Sequence, residues 1–487
     1  MAAEFPSSFT VPWKDLIRSR QNDQLDDFPA YTSRNAESLV TTSTPTALYI
    51  GTGHSIYQQA LIPAIRSAKH SIHLVTCFWA DSSTCNSIRA ALLELAASRS
   101  GRGDLPTLHI TIGFSSHGLF QKLFHTASRS GKVYPPSQWE SLKLPDQATL
   151  RRGSIEMTVK TLFFTPLSVM HPKYLIVDDT TAWVPSCNVS WERWFEGCVE
   201  LHGGAVQALL TFHERVWGLG SRGSTADGYD QQAARQDVAH LIDAHSIGDC
   251  TNASLMDEAN DASATQSSKL ALPAPVPTIL LPSSHHRNPG FSWIPFFGSS
   301  KPPMTPLNAA LLTLFSNAQR KITLVTPNVT AKPVINAILE ALSRGVSVEI
   351  RTNGGMMIVE QLVTAGTTTN WCIKRLIKRY TKLSKQFHAY AATDVEAQPR
   401  ELGKLDIFYY KQLERRADKE DEPVVSHFKM TMVDDEYLVL GSGNMDRASW
   451  WTSQELGILF YMPGFEERSL WEKALEVRAQ RIFPQAQ

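Results

Sequence analysis

The chain is 487 residues long and 43% hydrophobic, with 47 Lys plus Arg set against 47 Asp plus Glu. Such a composition belongs to a globular protein of about two to four domains, and the charge balance excludes the global basic field of a nucleic-acid coat, so any anion site must be local. Six scattered cysteines (Cys77, Cys85, Cys187, Cys198, Cys250, Cys372) with no CxxC pair exclude a disulfide scaffold and fit a reducing compartment.

From the amino end, residues 1–44 read as an extension. MAAEFPSSFTVPWKDLIRSR lacks a basic region followed by an apolar run, and no uninterrupted apolar stretch approaches the roughly 18 residues of a spanning helix. The expected location is cytoplasmic, and a lipid substrate would have to be met from the water side.

A first repeat is expected over 45–220. It runs through a helix (QQALIPAIRSAKH), a β-branched strand (SIHLVTCFW), a second helix (NSIRAALLELAASR) and another strand (LHITIGF). VKTLFF (159–164) then reads as a strand, KYLIVDD as the strand that carries a His, DDT as a turn, and TAWVPSCN as a return strand. Residues 221–275, rich in Gly, Ser, Ala, Asp and Gln, read as a flexible linker or insertion. The proline-rich stretch beyond it reads as an ordered crossover whose Trp293, Phe296 and Phe297 fill core gaps, the alternative being an exposed loop that dips into a lipid interface; His285 and His286 read as surface residues, with a place lining the cleft as the alternative.

The second repeat, expected over 276–487, takes the same elements in the same order: LNAALLTLFSNAQR, KITLVTPNV, KPVINAILEALSRG, VSVEIRTNG, LDIFYY (405–410), KMTMVDD and YLVLGSGN. Strands alternating with helices of about 10–15 residues imply βαβ units and a mainly parallel sheet covered on both faces. Each half should be an α/β sandwich. Within the second half, WCIKRLIKRYTKLSKQ carries Lys374, Arg375, Lys378, Arg379, Lys382 and Lys385 with no acid. On a helix these share a side, while Trp371, Leu376, Tyr380 and Leu383 recur on or near the other, a pattern suited to anionic headgroups.

Two short stretches hold the same chemistry at the same spacing. His171, Lys173 and Asp178 in MHPKYLIVDD match His427, Lys429 and Asp434 in SHFKMTMVDD, and each His is followed seventeen positions later by an Asn, Asn188 and Asn444. Given fifteen His, with Lys and Asp each at odds of about one in twenty, chance predicts roughly 0.04 such matches. The duplication therefore points to one site built from two halves, and a chain holding both motifs needs no dimer, so a monomer is expected.

That set of side chains suits a phosphodiester, whose charge repels nucleophiles. Lys ammonium groups and Asn amides neutralise the non-bridging oxygens. One imidazole can then attack phosphorus while the other protonates the leaving alcohol and afterwards activates the acceptor. Metal binding is the rival reading of a His and Asp cluster. A Lys between them would repel a cation, and H-x-K offers neither Cys nor a second His, so neither metal nor cofactor is expected.

These residues resemble the phospholipase D superfamily, whose signature is H-x-K-x4-D followed by G-S-x-N, usually present twice. The second copy matches with His427, Lys429, Asp434, Gly441, Ser442 and Asn444; the first keeps His171, Lys173, Asp178, Ser186 and Asn188 but has Pro185 in place of Gly. The resemblance implies two tandem α/β sandwich repeats related by pseudo-twofold symmetry, with the active site at their interface. It also implies that His171 is the nucleophile, that His427 is the general acid and base, and that Glu196 and Glu455 orient the imidazoles. Glu200 rivals Glu196 for that role, and Asp178 and Asp434 look more like local anchors than proton carriers. Ser186, Ser442 and Arg447 are the expected substrate-binding groups, and GSGNMDRASWWTSQELGI is similar to the bacterial-type cardiolipin synthase branch. The implied function is a metal-independent phospholipase D-type phosphodiesterase or phosphatidyltransferase that works on phospholipid headgroups through a phosphohistidine, with peripheral membrane contact and no nucleic-acid partner. The alternatives are cardiolipin synthase-like transfer or a nucleic-acid phosphodiesterase of the same superfamily. The tyrosyl-DNA phosphodiesterase branch is disfavoured because it generally lacks the motif Asp.

Overall fold

Short apolar strands rich in Ile, Leu and Val form the spine of each half, and a computed structural model describes them within residues 4–19, 36–118, 131–164, 168–218, 263–270, 272, 275–283, 302–356, 358–393, 401–465 and 469–484. His285, His286, Trp293, Phe296, Phe297 and Cys250 lie outside the described residues. In the first half the strands run Gln266–Lys269, Val40–Thr52, Trp194–His202, Thr181–Pro185, Tyr174–Val177, Ser71–Phe78, Leu108–Ser116, Ile155–Thr161 and Lys132–Tyr134 from edge to edge. In the second half the order is Val276–Ser283, Glu455–Tyr461, Tyr437–Gly441, Met430–Val433, Lys321–Val325, Ser347–Thr352, Leu405–Tyr410 and Ala479–Phe483. The edge strand Gln266–Lys269 has no counterpart, and from Val40–Thr52 and Val276–Ser283 onward the two orders correspond strand for strand. They meet where Val40–Ser43 pairs antiparallel with Val276–Ile279, which places the halves side by side in one sheet.

The expected mainly parallel sheet holds only for three neighbours in each half: Ser71–Phe78, Leu108–Ser116 and Ile155–Thr161, and their counterparts Lys321–Val325, Ser347–Thr352 and Leu405–Tyr410. Those strands are joined by long crossovers, including the helices Ser83–Arg99 and Lys332–Ser343. The motif strands instead return through tight turns, and a tight turn can only join antiparallel strands. Asp178 and Asp179 (φ 52° and 57°) and Asp434 and Asp435 (φ 55° and 59°) make these turns in the left-handed region, which Asp tolerates better than most residues.

The motif aspartates fix this geometry from inside. The Asp178 carboxylate accepts the backbone N–H groups of Lys69, His70 and Ser71 at 2.6–3.1 Å. Asp434 does the same for Gln319, Arg320 and Lys321 at 2.7–2.9 Å. Each carboxylate caps the start of the neighbouring parallel strand and locks it to the motif hairpin. Neither hydrogen-bonds an imidazole. Seven residues of extended chain span about 20 Å or more, so the aspartates stand at the far end of the motif from the histidines.

The amino-terminal extension is built into the second half. Phe9, Trp13 and Ile17, spaced four apart on the helix Ser7–Ser19, are buried, and Trp13 Nε1 donates to Pro306 O at 3.1 Å. Likewise, the stretch read as a linker includes Gln266–Lys269, which pairs with Ala47–Ile50. One apolar cluster runs across both halves, from Val184 and Val199 to Leu440 and Ile458, while a second fills the outer layer of the first half around Ile88, Leu92 and Ile110.

Candidate active site

The two histidines sit just ahead of their strands, which begin at Tyr174 and Met430, and each is held by the opposite half. His171 N–H donates to Gln454 O (3.0 Å) while Gln454 N–H donates to Val169 O (2.9 Å). Symmetrically, His427 N–H donates to Phe195 O (2.8 Å), and Trp194–Phe195 pairs in parallel with Val425–Ser426. The residue after each acceptor is a glutamate. The pairing therefore delivers Glu455 to His171 and Glu196 to His427.

The imidazole–carboxylate pairs are consequently exchanged between the halves. His171 Nδ1 lies 2.8 Å from Glu455 Oε2, and His427 Nδ1 lies 2.7 Å from Glu196 Oε1. A carboxylate at Nδ1 holds the proton there and leaves Nε2 as the lone-pair nitrogen. The rings are 6.5 Å apart, centroid to centroid, at 85°, close enough for one phosphoryl group to touch both. Ser186 Oγ donates to Glu196, and Glu455 receives Ser442 Oγ and, on its other oxygen, Ser449 Oγ at 2.7 Å.

Two buried ammonium groups flank the rings. Lys173 Nζ donates to His171 O (2.7 Å); Lys429 Nζ donates to His427 O (2.6 Å) and stands 2.8 Å from both nitrogens of that ring. Burial lowers the His171 pKa, Glu455 opposes this, and Lys173 adds to it. For His427, burial together with the Lys429 charge outweighs Glu196 and brings the pKa to about 3. Lys429 itself is lowered to about 7, chiefly by burial. Burial works against ionisation of Glu196 and Glu455, but their histidine partners and hydroxyl donors prevail and both carboxyls are lowered. Unliganded, the site holds two neutral imidazoles backed by two carboxylates.

The asparagines lie beyond the return strands. Asn188 Oδ1 accepts from Phe78 N–H (3.2 Å) and Thr76 Oγ1 (3.4 Å), and Asn444 Nδ2 donates to Asp446 Oδ2 (3.1 Å). Among the described residues no group of three or more His, Cys, Asp or Glu is arranged to hold a metal ion.

Residues 311–473 match the family model described as the cardiolipin synthase, PLD-like domain. The solved phosphatidylserine synthase of Haemophilus influenzae Rd KW20 is similar over 96% of this chain and 92% of that one, at 15% identity and a TM-score of 0.53. Residues 311–473 are thus similar to a phospholipase D-like domain, and the chain as a whole shares its fold with that synthase. Weaker similarity extends to polyphosphate kinase of Porphyromonas gingivalis (10% identity, TM-score 0.43, 89% of this chain and 48% of that one). It also extends to Nuc of Salmonella typhimurium, a phospholipase D family member (15% identity, TM-score 0.24, 35% of this chain and 87% of that one). No curated protein matches the sequence.

The residues singled out in the sequence do not all lie at the imidazoles. His171, Lys173, His427, Lys429, Glu196 and Glu455 come together there. Glu200, the rival of Glu196, bonds instead to Tyr49 OH, Trp183 Nε1 and Thr46 Oγ1 at 2.9–3.0 Å. Ser186 and Ser442, expected to bind substrate, are buried and instead hold the two carboxylates, because the return strand places each hydroxyl opposite the glutamate strand. Arg447 opens the short helix Arg447–Trp451 with its guanidinium 4.7 Å from the Trp451 ring centroid, half-buried, and burial lowers its pKa.

The sequence reading missed three features. Ser449 is a third donor in the Glu455 group, and Asp446, buried and raised in pKa by that burial, caps the Arg447–Trp451 helix and holds Asn444. The third is an aromatic column. Trp194 packs 4.8 Å from the His427 ring, Trp191 stacks on Trp194 at 4.8 Å and 2°, and Phe78 stacks on Trp191 at 4.7 Å. Trp191 is 42% exposed and takes φ 48°, a conformation that bulky residues rarely adopt. The signal was available as Trp-x-x-Trp directly after the Asn188 segment.

Proposed function

We propose that the protein is a phospholipase D-type phosphodiesterase or phosphatidyltransferase that opens the headgroup diester of a phospholipid through a phosphohistidine. The observation that carries this reading is the exchanged pair of imidazole–carboxylate units with two buried ammonium groups. It supplies a nucleophile, an acid and an anion clamp around one phosphorus.

His171, the more exposed ring, attacks phosphorus through Nε2 while Glu455 holds its Nδ1–H. The P–O bond to the leaving alcohol breaks, and His427 supplies that oxygen with a proton. In the empty site His427 is neutral. An arriving phosphodiester adds the negative charge with which His427 takes up a proton from solvent to become the imidazolium, and it draws the Lys429 ammonium from the ring toward a phosphoryl oxygen. In the second step His427 takes the proton of water or an acceptor alcohol, whose oxygen attacks phosphorus as the P–N bond breaks. His171 is regenerated. Lys173, Lys429 and the asparagine amides hold the non-bridging oxygens in both steps.

The test is to trap the adduct. Labelled phosphatidylcholine, phosphatidylglycerol and single-stranded DNA are offered in excess chelator to the wild type and to His171→Ala. Mass spectrometry is expected to find a phosphatidyl group on His171 of the wild type only. An adduct from DNA alone would replace lipid with nucleic acid as the substrate, and loss of turnover in chelator would sink the metal-independent chemistry.

A further inference from the structure

The basic helix Thr369–Thr393 is amphipathic in a different way from the one its sequence suggested. At 100° per residue, Lys374, Arg375, Lys378, Arg379, Lys382 and Lys385 fall within an arc of about 140° centred on Trp371. All six basic residues are exposed, and so is Trp371, at 54%. Trp371 therefore belongs to the basic face, with the Arg375 guanidinium 5.3 Å from its ring centroid. The inner face is made by Ile373 and Leu376, both fully buried, and by the partly buried Tyr380. Among the described residues no acidic side chain pairs with any of the six cations; Glu340 faces Arg379 and Lys382 across a groove, and Arg379 donates to Asn336 Oδ1.

Apolar side chains are exposed beside the amino end of that stripe. Ile358 and Leu362, one helical turn apart on the helix Ile358–Ala365, are 47% and 49% exposed. This helix is tied to the start of the basic helix, since Gln361 Oε1 accepts from Thr369 N–H and Oγ1. It is equally tied to the active site. Gln361 Nε2 donates to Asn328 Oδ1 (2.8 Å), Asn328 Nδ2 contacts Asp446 Oδ2 (3.5 Å), and the same oxygen accepts from Asn444 (3.1 Å). The exposed apolar group thus adjoins the site, and the cationic stripe leads away from it.

We propose that this face, Ile358, Leu362 and Trp371 with the stripe from Lys374 to Lys385, docks the protein on an anionic phospholipid bilayer and brings the site to its substrate there. The inference rests on the lipid reading of the function and names the surface that reading leaves open. Charge complementarity selects the occupant. In a chain of zero net charge, six cations on one helix, none of them ion-paired among the described residues, attract an anionic plane. Three exposed apolar side chains at one end match what enters the headgroup region of a bilayer, and a nucleic-acid backbone gives aliphatic side chains nothing to insert into.

The experiment measures sedimentation of the full chain with vesicles of phosphatidylcholine alone and of phosphatidylcholine with phosphatidylglycerol, beside binding of single-stranded DNA. Three proteins are compared: wild type, Lys374→Gln/Lys378→Gln/Lys382→Gln, and Ile358→Ser/Leu362→Ser/Trp371→Ala. Wild type is expected to prefer the anionic vesicles, the charge variant to bind them roughly a hundredfold more weakly, and the apolar variant to lose the part of binding that survives high salt. Both variants should turn over a monomeric short-chain phospholipid at the wild-type rate, because every substituted residue is exposed and outside the site. Equal vesicle binding by wild type and charge variant would overturn the docking proposal, as would DNA binding lost in place of vesicle binding. Failure of the wild type to turn over the monomeric lipid would instead overturn the proposed function, whatever the vesicles show.

Discussion

His171 and His427 hold equivalent places, yet the His171 side chain is 14% exposed and that of His427 is 4%. Glu455 behind His171 gathers two hydroxyls, Ser442 and Ser449, whereas Glu196 behind His427 receives one, Ser186. Two residues ahead of each glutamate stand Ser453 and Trp194, and only Trp194 lays an aromatic ring on its histidine. Between motif His and Lys the first half has Pro172 and the second Phe428. A duplicated frame thus carries one accessible, well-braced imidazole and one that is covered and crowded by an ammonium, which suits a nucleophile and a proton carrier respectively.

The sharpest way to break that comparison is to remove each ring in turn. His171→Ala should lose roughly 10⁴-fold or more in turnover of any diester, since the variant lacks the proposed nucleophile. His427→Ala should lose as much on a phospholipid but recover a burst of product from a diester with a p-nitrophenolate leaving group, which departs without an acid. Stopped-flow absorbance reads the burst. A burst from His171→Ala and none from His427→Ala would reverse the two roles.

The carboxylates come next. Glu196→Gln and Glu455→Gln should each lower kcat about 10- to 100-fold with little change in KM, as orienting groups do. Ser186→Ala should cost more than Ser442→Ala, because Glu455 keeps Ser449 when Ser442 is lost. Equal effects of the two serine variants would remove the asymmetry in bracing.

A smaller effect tests the seam between the halves. A Cβ at Gly197 would come within 2.3 Å of the Phe428 ring, so Gly197→Ala should destabilise the fold by about 1–3 kcal/mol. Phe428→Leu in the same chain should recover part of that loss. Additive melting shifts in the double variant would show that the clash is not there.

Much of this was legible in the sequence because it is local. The duplicated His-x-Lys and Asn spacing, the turns at Asp178 and Asp434, and the helices Ser83–Arg99 and Lys332–Ser343 each follow from residues within a short window. The exchange of carboxylates was not legible, since His171 and Glu455 are 284 residues apart and His427 and Glu196 are 231 apart. Only the parallel pairing across the seam decides which glutamate meets which ring. The antiparallel half of each sheet was underestimated because alternation of helix and strand was weighed above the tight Asp-Asp turns. The side of the basic helix that bears Trp371 was missed because an aromatic residue was assigned inward without counting its angle.

The smallest effect is a pH dependence of stability that the two halves do not share. His171, His427 and the buried His213 all have folded pKa values below the ordinary histidine value, that of His427 at about 3 and that of His213 well below. Below about pH 6.5 the unfolded chain binds protons that the folded chain refuses, so stability is lost as the pH is lowered, at up to about 1.4 kcal/mol per unit for each such ring. The lowered Glu196 and Glu455 contribute their loss only on further acidification, below the ordinary carboxylate range. Lys429 acts on the alkaline side. With its pKa lowered to about 7, the unfolded chain carries the extra proton from there up to about 10.5, and rising pH stabilises the fold. Cys187 and Cys198, whose thiols burial pushes well up, pull the other way once the unfolded thiols ionise, so the lysine contribution is isolated by difference. Urea unfolding of wild type and Lys429→Met across the neutral to mildly alkaline range should show stability rising in the wild type relative to the variant. Parallel curves for wild type and Lys429→Met would mean that the ammonium beside His427 is better solvated than its burial implies, and the crowding that distinguishes the second half would lose its main support.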